Sequence, residues 1–242
     1  MWSCFNEICW EVGLRFVFAM ATMVATVVVV GCASVPQGPV DIKPATLSGN
    51  STRIGVAMTA VPKVDTSFPG AGCLLCLAAA SMMNNSLTDH IRTLPPEGLD
   101  TLKQEIAQAI TKKGATAVVI AEQINVDDLP RSSGSAPNTA PRDHSSFKQK
   151  YQIDKLLVIN VSYVGVERAY SAYVPTTDPK GALRGTGYLL DLSSNTYEWY
   201  LPVAVIKGAE GNWDEPPKFP GVTNAYFQAL EQGKETFLTP FK

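Results

Sequence analysis

The hydrophobic and polar positions divide the 242-residue chain into an apolar leader, a polar stretch and a long patterned region. No residue from Phe16 to Val30 is charged. A run of this length is short for a membrane-spanning helix but typical of the apolar part of a signal peptide. Residues 32–52 are rich in Pro, Ser, Gly and Thr without hydrophobic periodicity, which predicts a flexible tether. We therefore assign residues 1–31 to a signal peptide and 53–242 to one globular domain.

Within residues 53–242 the pattern predicts an α/β (α+β) domain. Apolar residues recur at steps of three and four over Leu99–Lys113, which predicts an amphipathic surface helix. With a strand at Arg53–Val61 before it and a buried strand at Ala115–Ala121 after it, the order is that of a β-α-β unit. The other predicted elements are strands at Lys155–Val166, Gly181–Leu192 and Thr196–Ile206, the last two forming a hairpin, and a helix at Thr223–Gln232 capped by Gly233. We expect a mixed sheet with amphipathic helices on a face.

Three segments depart from this regular pattern. Cys73–Met83 is an apolar run without β-branched residues, which predicts a short buried helix. Residues 125–147 lack periodic apolar positions, which predicts a flexible loop. A second irregular loop, Lys207–Gly221, carries Trp213 and Phe219.

Trp213 and Phe219 are the residues that we predict to contact a ligand or partner. Aromatic side chains are enriched among binding hot spots, and loops held by a rigid scaffold often carry function. The alternative is that Trp213 folds back and covers the sheet edge beside Pro202.

Composition and charge narrow the class of protein. The chain is 45% hydrophobic and 17% charged, so it can bury a core, and wholesale disorder is excluded. Its formal charge is −2 and it has no run of Lys or Arg, so there is no electrostatic basis for a nucleic-acid partner.

The sequence Val29-Val30-Gly31-Cys32 resembles the lipobox of bacterial lipoproteins. The resemblance implies cleavage before Cys32, acylation of its thiol with palmitate-like chains, and anchoring to membrane lipid. Ala33, in place of Asp, implies the periplasmic face of the outer membrane. Glu7 and Glu11 depart from the positive start of such signals. A translation start at Val12 would explain that departure.

A second resemblance concerns the fold. The order of elements, with Asp191-Leu192 leading through a short turn to Trp199, is similar to the α/β domains of the curli secretion lipoprotein and of the amino-terminal part of the TolB translocation protein. This resemblance implies a fold and no function.

Cys73 and Cys76 are the cysteines that remain after Cys32 in the predicted mature chain. At the start of a helix their α-carbons would lie about 5 Å apart, within disulfide range, and an oxidising compartment favours pairing. A disulfide is the prediction. The alternative is a CxxC thiol-disulfide oxidoreductase, because a strand, a loop, CxxC and a helix also occur in that order in thioredoxins.

Two further groups of residues match part of a zinc site and part of a hydrolase triad. Cys73, Cys76 and His90 match three ligands of a zinc site, but a fourth ligand does not follow. Asp143-His144-Ser145 has the residue types of a hydrolase triad, yet adjacent residues cannot align as one. We therefore predict no catalytic set, metal or cofactor.

The predicted function is that of a lipid-anchored cell-envelope protein whose domain is a non-enzymatic binding or adaptor module in the periplasm. Its predicted partners are membrane lipid, through acylated Cys32, and an envelope protein whose identity the sequence does not give. Self-association into an oligomer is left open.

Overall fold

A six-stranded mixed sheet organises the domain in the computed structural model, which describes residues 36–48 and 52–242. The strands of this sheet are β1 (Arg53–Met58), β2 (Asp65–Ser67), β3 (Thr116–Gln123), β4 (Lys155–Glu167), β7 (Lys180–Asp191) and β8 (Thr196–Gly208), and a separate small hairpin consists of β5 (Tyr170–Ser171) and β6 (Val174–Pro175). The helices are α1 (Pro44–Leu47), α2 (Leu74–Met83), α3 (Asn85–Ile91), α4 (Leu102–Lys112), α5 (Ser146–Tyr151) and α6 (Pro220–Leu238). The predicted fold class is confirmed.

The sheet combines a parallel half with an antiparallel half. Its order is β3-β1-β4-β7-β8, with β1 parallel to both β3 and β4, while β4, β7 and β8 form an antiparallel meander. The connection from β1 to β3 contains α4, as the β-α-β prediction requires. Strand β8 lies at the edge of the sheet, where Pro202 is tolerated.

One row of paired residues marks an end of the sheet. Ser67 pairs with Glu167, Glu167 with Lys180, and Lys180 with Gly208. At this row β2, β4 and β8 end and β7 begins. We call it the Glu167 end of the sheet.

Apolar residues cover both faces of the sheet. On one face α4 inserts Leu102, Ile106 and Ile110, which are fully buried as their helical spacing predicts. Helix α6 packs beside it and continues past the predicted end at residue 232. A Cβ at Gly233 would press against the Leu183 side chain, so this glycine permits close packing of α6 on β7 and does not cap the helix.

The opposite face is covered by the segment that the sequence predicts as a flexible loop. Within residues 125–147, Ala140 and His144 are buried, and Thr139 forms a β-bridge with Thr196. Phe147 and Ile153 continue this second part of the core. The structure therefore differs from the prediction. Hydrogen bonds with the distant residue Asn195 attach the segment to the sheet: the Asn195 amide oxygen accepts from the His144 N–H, and its amide nitrogen donates to the carbonyl oxygen of Arg142. Periodicity cannot reveal such contacts.

The predicted tether also differs over part of its length. Val40 and Tyr200 exchange two backbone hydrogen bonds of 2.9 Å, and Leu47 of α1 is buried in the core. Gly38–Lys242 forms one compact unit that contains the whole sheet and both parts of its core. The lipobox, Cys32 and Val12 lie outside the described residues. Among the described helices, none has both the length and the apolar character needed to span a bilayer.

Candidate binding face

Helix α2 is exposed along most of its surface, which corrects the prediction of a buried helix. Of its residues, only Cys76 and Ala80 are buried, and they pack with Ala71 and Tyr170. Leu74 is 89% exposed and Met82 is 79% exposed. The apolar residues of this helix therefore face outward, where they would contact solvent or another molecule.

A short hairpin extends the same surface. Seven of the nine large exposed apolar side chains among the described residues belong to α2 or to the β5–β6 hairpin. We call these seven the apolar face: Leu74, Leu75, Leu77, Met82, Met83, Tyr173 and Val174. Such clustering matters because scattered exposed apolar residues are ordinary on protein surfaces, whereas contiguous patches mark interaction sites.

Close backbone packing holds the hairpin against the residues that precede α2. The Tyr170 N–H donates to the carbonyl oxygen of Pro69 at 2.7 Å, and the rings of Phe68 and Tyr170 meet edge to face. Gly70 has φ +87°, and a Cβ there would overlap the carbonyl oxygen of Tyr170. Only glycine satisfies both requirements at this position. The hairpin and helix therefore present one surface.

Cys73 and Cys76 lie at the first turn of α2. Cys73 caps the helix, its Sγ accepting from the Cys76 N–H at 2.9 Å. The α-carbons are 4.9 Å apart and the two sulfurs form a disulfide in the structure. Cys73 is exposed with its sulfur 3.8 Å from the hydroxyl of Tyr173, whereas Cys76 is buried. In the described part of the chain, no His, Lys or Arg side chain hydrogen-bonds to either sulfur. The oxidation state in the cell stays a prediction.

A chain of polar and aromatic contacts connects α2 to Trp213. The Asn84 amide follows α2 and donates to the carbonyl of Ala80 and the hydroxyl of Tyr170, while its oxygen accepts from Arg168 at 2.9 Å. The Arg168 guanidinium lies over the Trp213 ring, 4.5 Å from its centroid. The Trp213 ring is in turn parallel to that of Phe219.

The structure thus brings the predicted residues Trp213 and Phe219 to the same end of the sheet as the cysteine pair. Both rings are half-buried and pack against the core. The contacts of Trp213 with Arg168 and Phe219 do not involve Pro202, which pairs with Thr186 in mid-strand. The role of these two aromatic residues as partner contacts stays a prediction.

The segment that contains α2 carries no Asp, Glu, Lys or Arg side chain. Between Asp65 and Asp89 the sequence has no Asp, Glu, Lys or Arg. His90 hydrogen-bonds to Thr223 at 2.8 Å, and burial, with a smaller effect from Lys218, holds the pKa of this histidine below its ordinary value. The α2 part of the apolar face therefore lies in a segment without charged side chains, whereas Glu167, Arg168, Asp178 and Lys180 flank the hairpin part in the sequence.

The residues considered for metal or hydrolase chemistry have other roles. Nδ1 of His144 lies 2.9 Å from the carbonyl oxygen of Arg142 and Nε2 lies 3.3 Å from the hydroxyl of Tyr188, so the ring contacts neither Asp143 nor Ser145 through these bonds. The Asp143 carboxylate accepts from the Ser145 backbone N–H. No cluster of three or more His, Cys, Asp or Glu suited to a metal ion occurs within residues 36–48 and 52–242.

A cleft of about 670 Å³ lies where β1 and β3 end, between Met58, Gln123, Pro96 and Lys103. The carboxyl ends of parallel strands are a common place for ligands. Here, however, the Lys103 ammonium already donates to the carbonyl oxygens of Ile120 and Ala121, at 2.6 and 3.4 Å. Its charge is therefore used within the protein, and the other polar residues that line the cleft are Thr59, Glu97, Asp100 and Gln123.

Comparison with known proteins gives structural neighbours but no sequence relative. No family model matches the chain, and no curated protein matches it either. Among solved structures it is similar to the PelC dodecamer of Paraburkholderia phytofirmans (8% identity, 84% of this chain and 94% of that one, TM-score 0.37). It is also similar to protein XCC0632 of Xanthomonas campestris (13% identity, 84% of this chain and 90% of that one, TM-score 0.36). A third neighbour is lipoprotein GNA1162 of Neisseria meningitidis (9% identity, 75% of this chain and 96% of that one, TM-score 0.29).

Sequence reasoning selected the cysteine pair and Trp213 but missed the apolar face. Two signals were available in the sequence. One is the absence of charge over residues 66–88, and the other is that α2 has apolar residues on every side and hence no polar side to face solvent.

Proposed function

We propose that this protein is a lipid-anchored component of the bacterial cell envelope whose domain is a non-enzymatic binding or adaptor module. The anchor is Cys32, and Ala33 after it favours the periplasmic face of the outer membrane. The observation that carries the binding role is the apolar face. A monomeric domain that stays in water gains nothing from exposing five Leu and Met side chains on one short helix.

The position of the apolar face in the fold makes it accessible to a partner. It lies on α2, which follows β2, and on the hairpin, which follows β4, so both elements leave the sheet at the Glu167 end. The core beneath it is complete, since Cys76, Ala80 and Tyr170 are already buried. Contact by a partner therefore requires no rearrangement of the fold.

One experiment tests the anchor. Replacing the acylated thiol by Cys32→Ser abolishes labelling with a clickable fatty acid and leaves an unprocessed precursor. Cys9→Ser is the matched control, because that cysteine precedes the lipobox and its replacement leaves labelling intact. Labelling that persists in Cys32→Ser would contradict the lipoprotein assignment.

A second experiment tests the face. A pull-down from solubilised membranes is compared between Leu75→Ser, on the apolar face, and Val119→Ser, an exposed valine of β3. We expect the recovered components to change only with Leu75→Ser. Identical recovery with both variants would contradict a protein-binding role for the face.

The thiol-disulfide oxidoreductase remains the second candidate, favoured by one observation. Cys73 is exposed at the first turn of α2 while Cys76 is buried, so one sulfur is accessible to a substrate disulfide. Reduction of insulin by the protein in the presence of dithiothreitol, lost in Cys73→Ser, would support this activity. If the protein is an adaptor, we expect insulin to be reduced no faster than by dithiothreitol alone.

A further inference from the structure

We infer that the apolar face inserts into the surface of the lipid bilayer and thereby forms a second membrane contact beside the acylated cysteine. The inference rests on the proposed function for the anchor, and it names the occupant of the face. Three observations carry it: the direction of the chain at Val40, the composition of α2, and the way α2 is attached to the domain.

The chain at Val40 is directed toward the Glu167 end. Val40 pairs antiparallel with Tyr200, so at this bridge the chain, followed toward its N-terminus, has the direction in which β8 proceeds to its last residue, Gly208. The eight steps from Tyr200 to Gly208 span about 26 Å at ~3.3 Å per residue. The eight steps from Val40 back to Cys32 reach at most about 28 Å. A lipid on Cys32 therefore allows the Glu167 end of the sheet, where the apolar face lies, to meet the bilayer.

The pairing also limits how far the domain can move from the membrane. A free segment of residues 32–52 would give the domain a loose tether, whereas the bridge at Val40 leaves seven residues between Cys32 and Val40. The domain is then held within about one domain diameter of the bilayer. At that distance the local concentration of lipid surface is high, and a modest apolar contact suffices to hold the face against it.

The composition of α2 suits lipid better than a protein partner. Protein interfaces combine apolar anchors with hydrogen bonds and a polar rim. Residues 66–88 include no charged side chain, and the exposed part of α2 consists of Leu, Met, Ala and a single Ser, apart from the cap at Cys73. Its ten residues are about 15 Å long, too short to span a bilayer but long enough to lie within its surface.

The attachment of α2 leaves its apolar side chains free to enter the lipid. An interfacial helix normally directs a polar face toward water. In this protein the domain takes the place of that face, because the inward residues Cys76 and Ala80 pack on Tyr170. At the edge of the face Tyr173 is half-exposed, and tyrosine favours the boundary between apolar and polar regions.

The test uses residues 38–242 without the lipid, since this unit contains the complete sheet and core. The protein is mixed with phosphatidylcholine vesicles and centrifuged in a flotation gradient. We expect it to float with the vesicles, equally well in low and high salt and without anionic lipid, because no charge contributes to the contact. Leu75→Ser lowers the partition coefficient by roughly tenfold, and Leu74→Ser with Leu75→Ser and Met82→Ser abolishes flotation. Val119→Ser is the matched control and floats like the unchanged chain.

Several results would overturn the inference. These are failure of the unchanged chain to float, flotation that needs anionic lipid and disappears in salt, and equal loss in Leu75→Ser and Val119→Ser. A concentration-dependent dimer that Leu75→Ser dissociates, without flotation, would assign the face to a second copy instead. Absence of fatty-acid labelling at Cys32 together with normal flotation would refute the anchor while supporting lipid contact by the face. Labelling at Cys32 without flotation would support the anchor and overturn the inference.

Discussion

Asn195 should be one of the most sensitive polar positions in the domain, because it attaches residues 125–147 to the sheet. It lies in the turn between β7 and β8, is buried, and has φ +54°. Its amide donates to the carbonyl oxygens of Arg142 at 2.9 Å and Ala140 at 3.3 Å, and its oxygen accepts from the His144 N–H at 3.1 Å. These three bonds are made by a single side chain.

The expected loss of stability separates into two parts. Asn195→Gly keeps the backbone conformation and removes the hydrogen bonds, which leaves buried groups without partners and costs about 2–3 kcal/mol. Asn195→Ala keeps a Cβ at positive φ, where alanine is less favourable than glycine, so this variant should be about 1 kcal/mol less stable than Asn195→Gly. For a domain of this size each kcal/mol lowers the melting temperature by about 2–4 °C.

Urea denaturation followed by circular dichroism measures both differences. Ser194→Ala, an exposed change in the same turn, is the control and should stay within about 0.5 kcal/mol of the unchanged chain. If Asn195→Gly were as stable as the unchanged chain, residues 125–147 would be held loosely, as the sequence alone predicts. If Ala and Gly were equally destabilising, the strain argument would be refuted.

The contacts of Trp213, of the cysteine pair and of His144 each predict a measurable effect. Trp213→Ala should remove the contact with Arg168 and lower the melting temperature by about 3–6 °C, because removal of a half-buried ring lowers the free energy of unfolding by about 1–2 kcal/mol. An unchanged melting curve together with lost binding would instead make Trp213 a partner contact. Protein isolated from the cell and denatured without reductant should show no reactive thiol at Cys73 or Cys76, and two free thiols would contradict the disulfide. Replacing both cysteines, Cys73→Ala with Cys76→Ala, should lower stability by at most about 2 kcal/mol, because the closed loop is very short. Burial lowers the pKa of His144 below its ordinary value of 6.5, so the unfolded chain binds the proton more readily and stability is lost as pH falls below about 6.5. His144→Gln should therefore flatten the dependence of the unfolding free energy on pH between about 7 and 5. An unchanged slope would show that this histidine does not contribute.

The sequence alone determined the elements whose side chains repeat with a clear period. Leu102, Ile106 and Ile110 recur at four-residue steps, so the face of α4 that is buried could be predicted before any partner was known. The hairpin of β7 and β8 was predicted for a similar local reason, since a short polar turn joins two apolar runs. For the candidate site, the position of Cys73 at a helix start was likewise a local property.

Only the tertiary structure decided where the residues without such periodicity lie. The apolar run of α2 is equally compatible with burial inside a protein and with exposure, because its composition does not specify what packs against it; the structure covers only Cys76 and Ala80. Residues 125–147 have no pattern, yet Asn195, some fifty residues further along the chain, supplies the hydrogen bonds that bury Ala140 and His144. Both outcomes depend on contacts between segments distant in the chain, and a local pattern carries no information about the partner of such a contact.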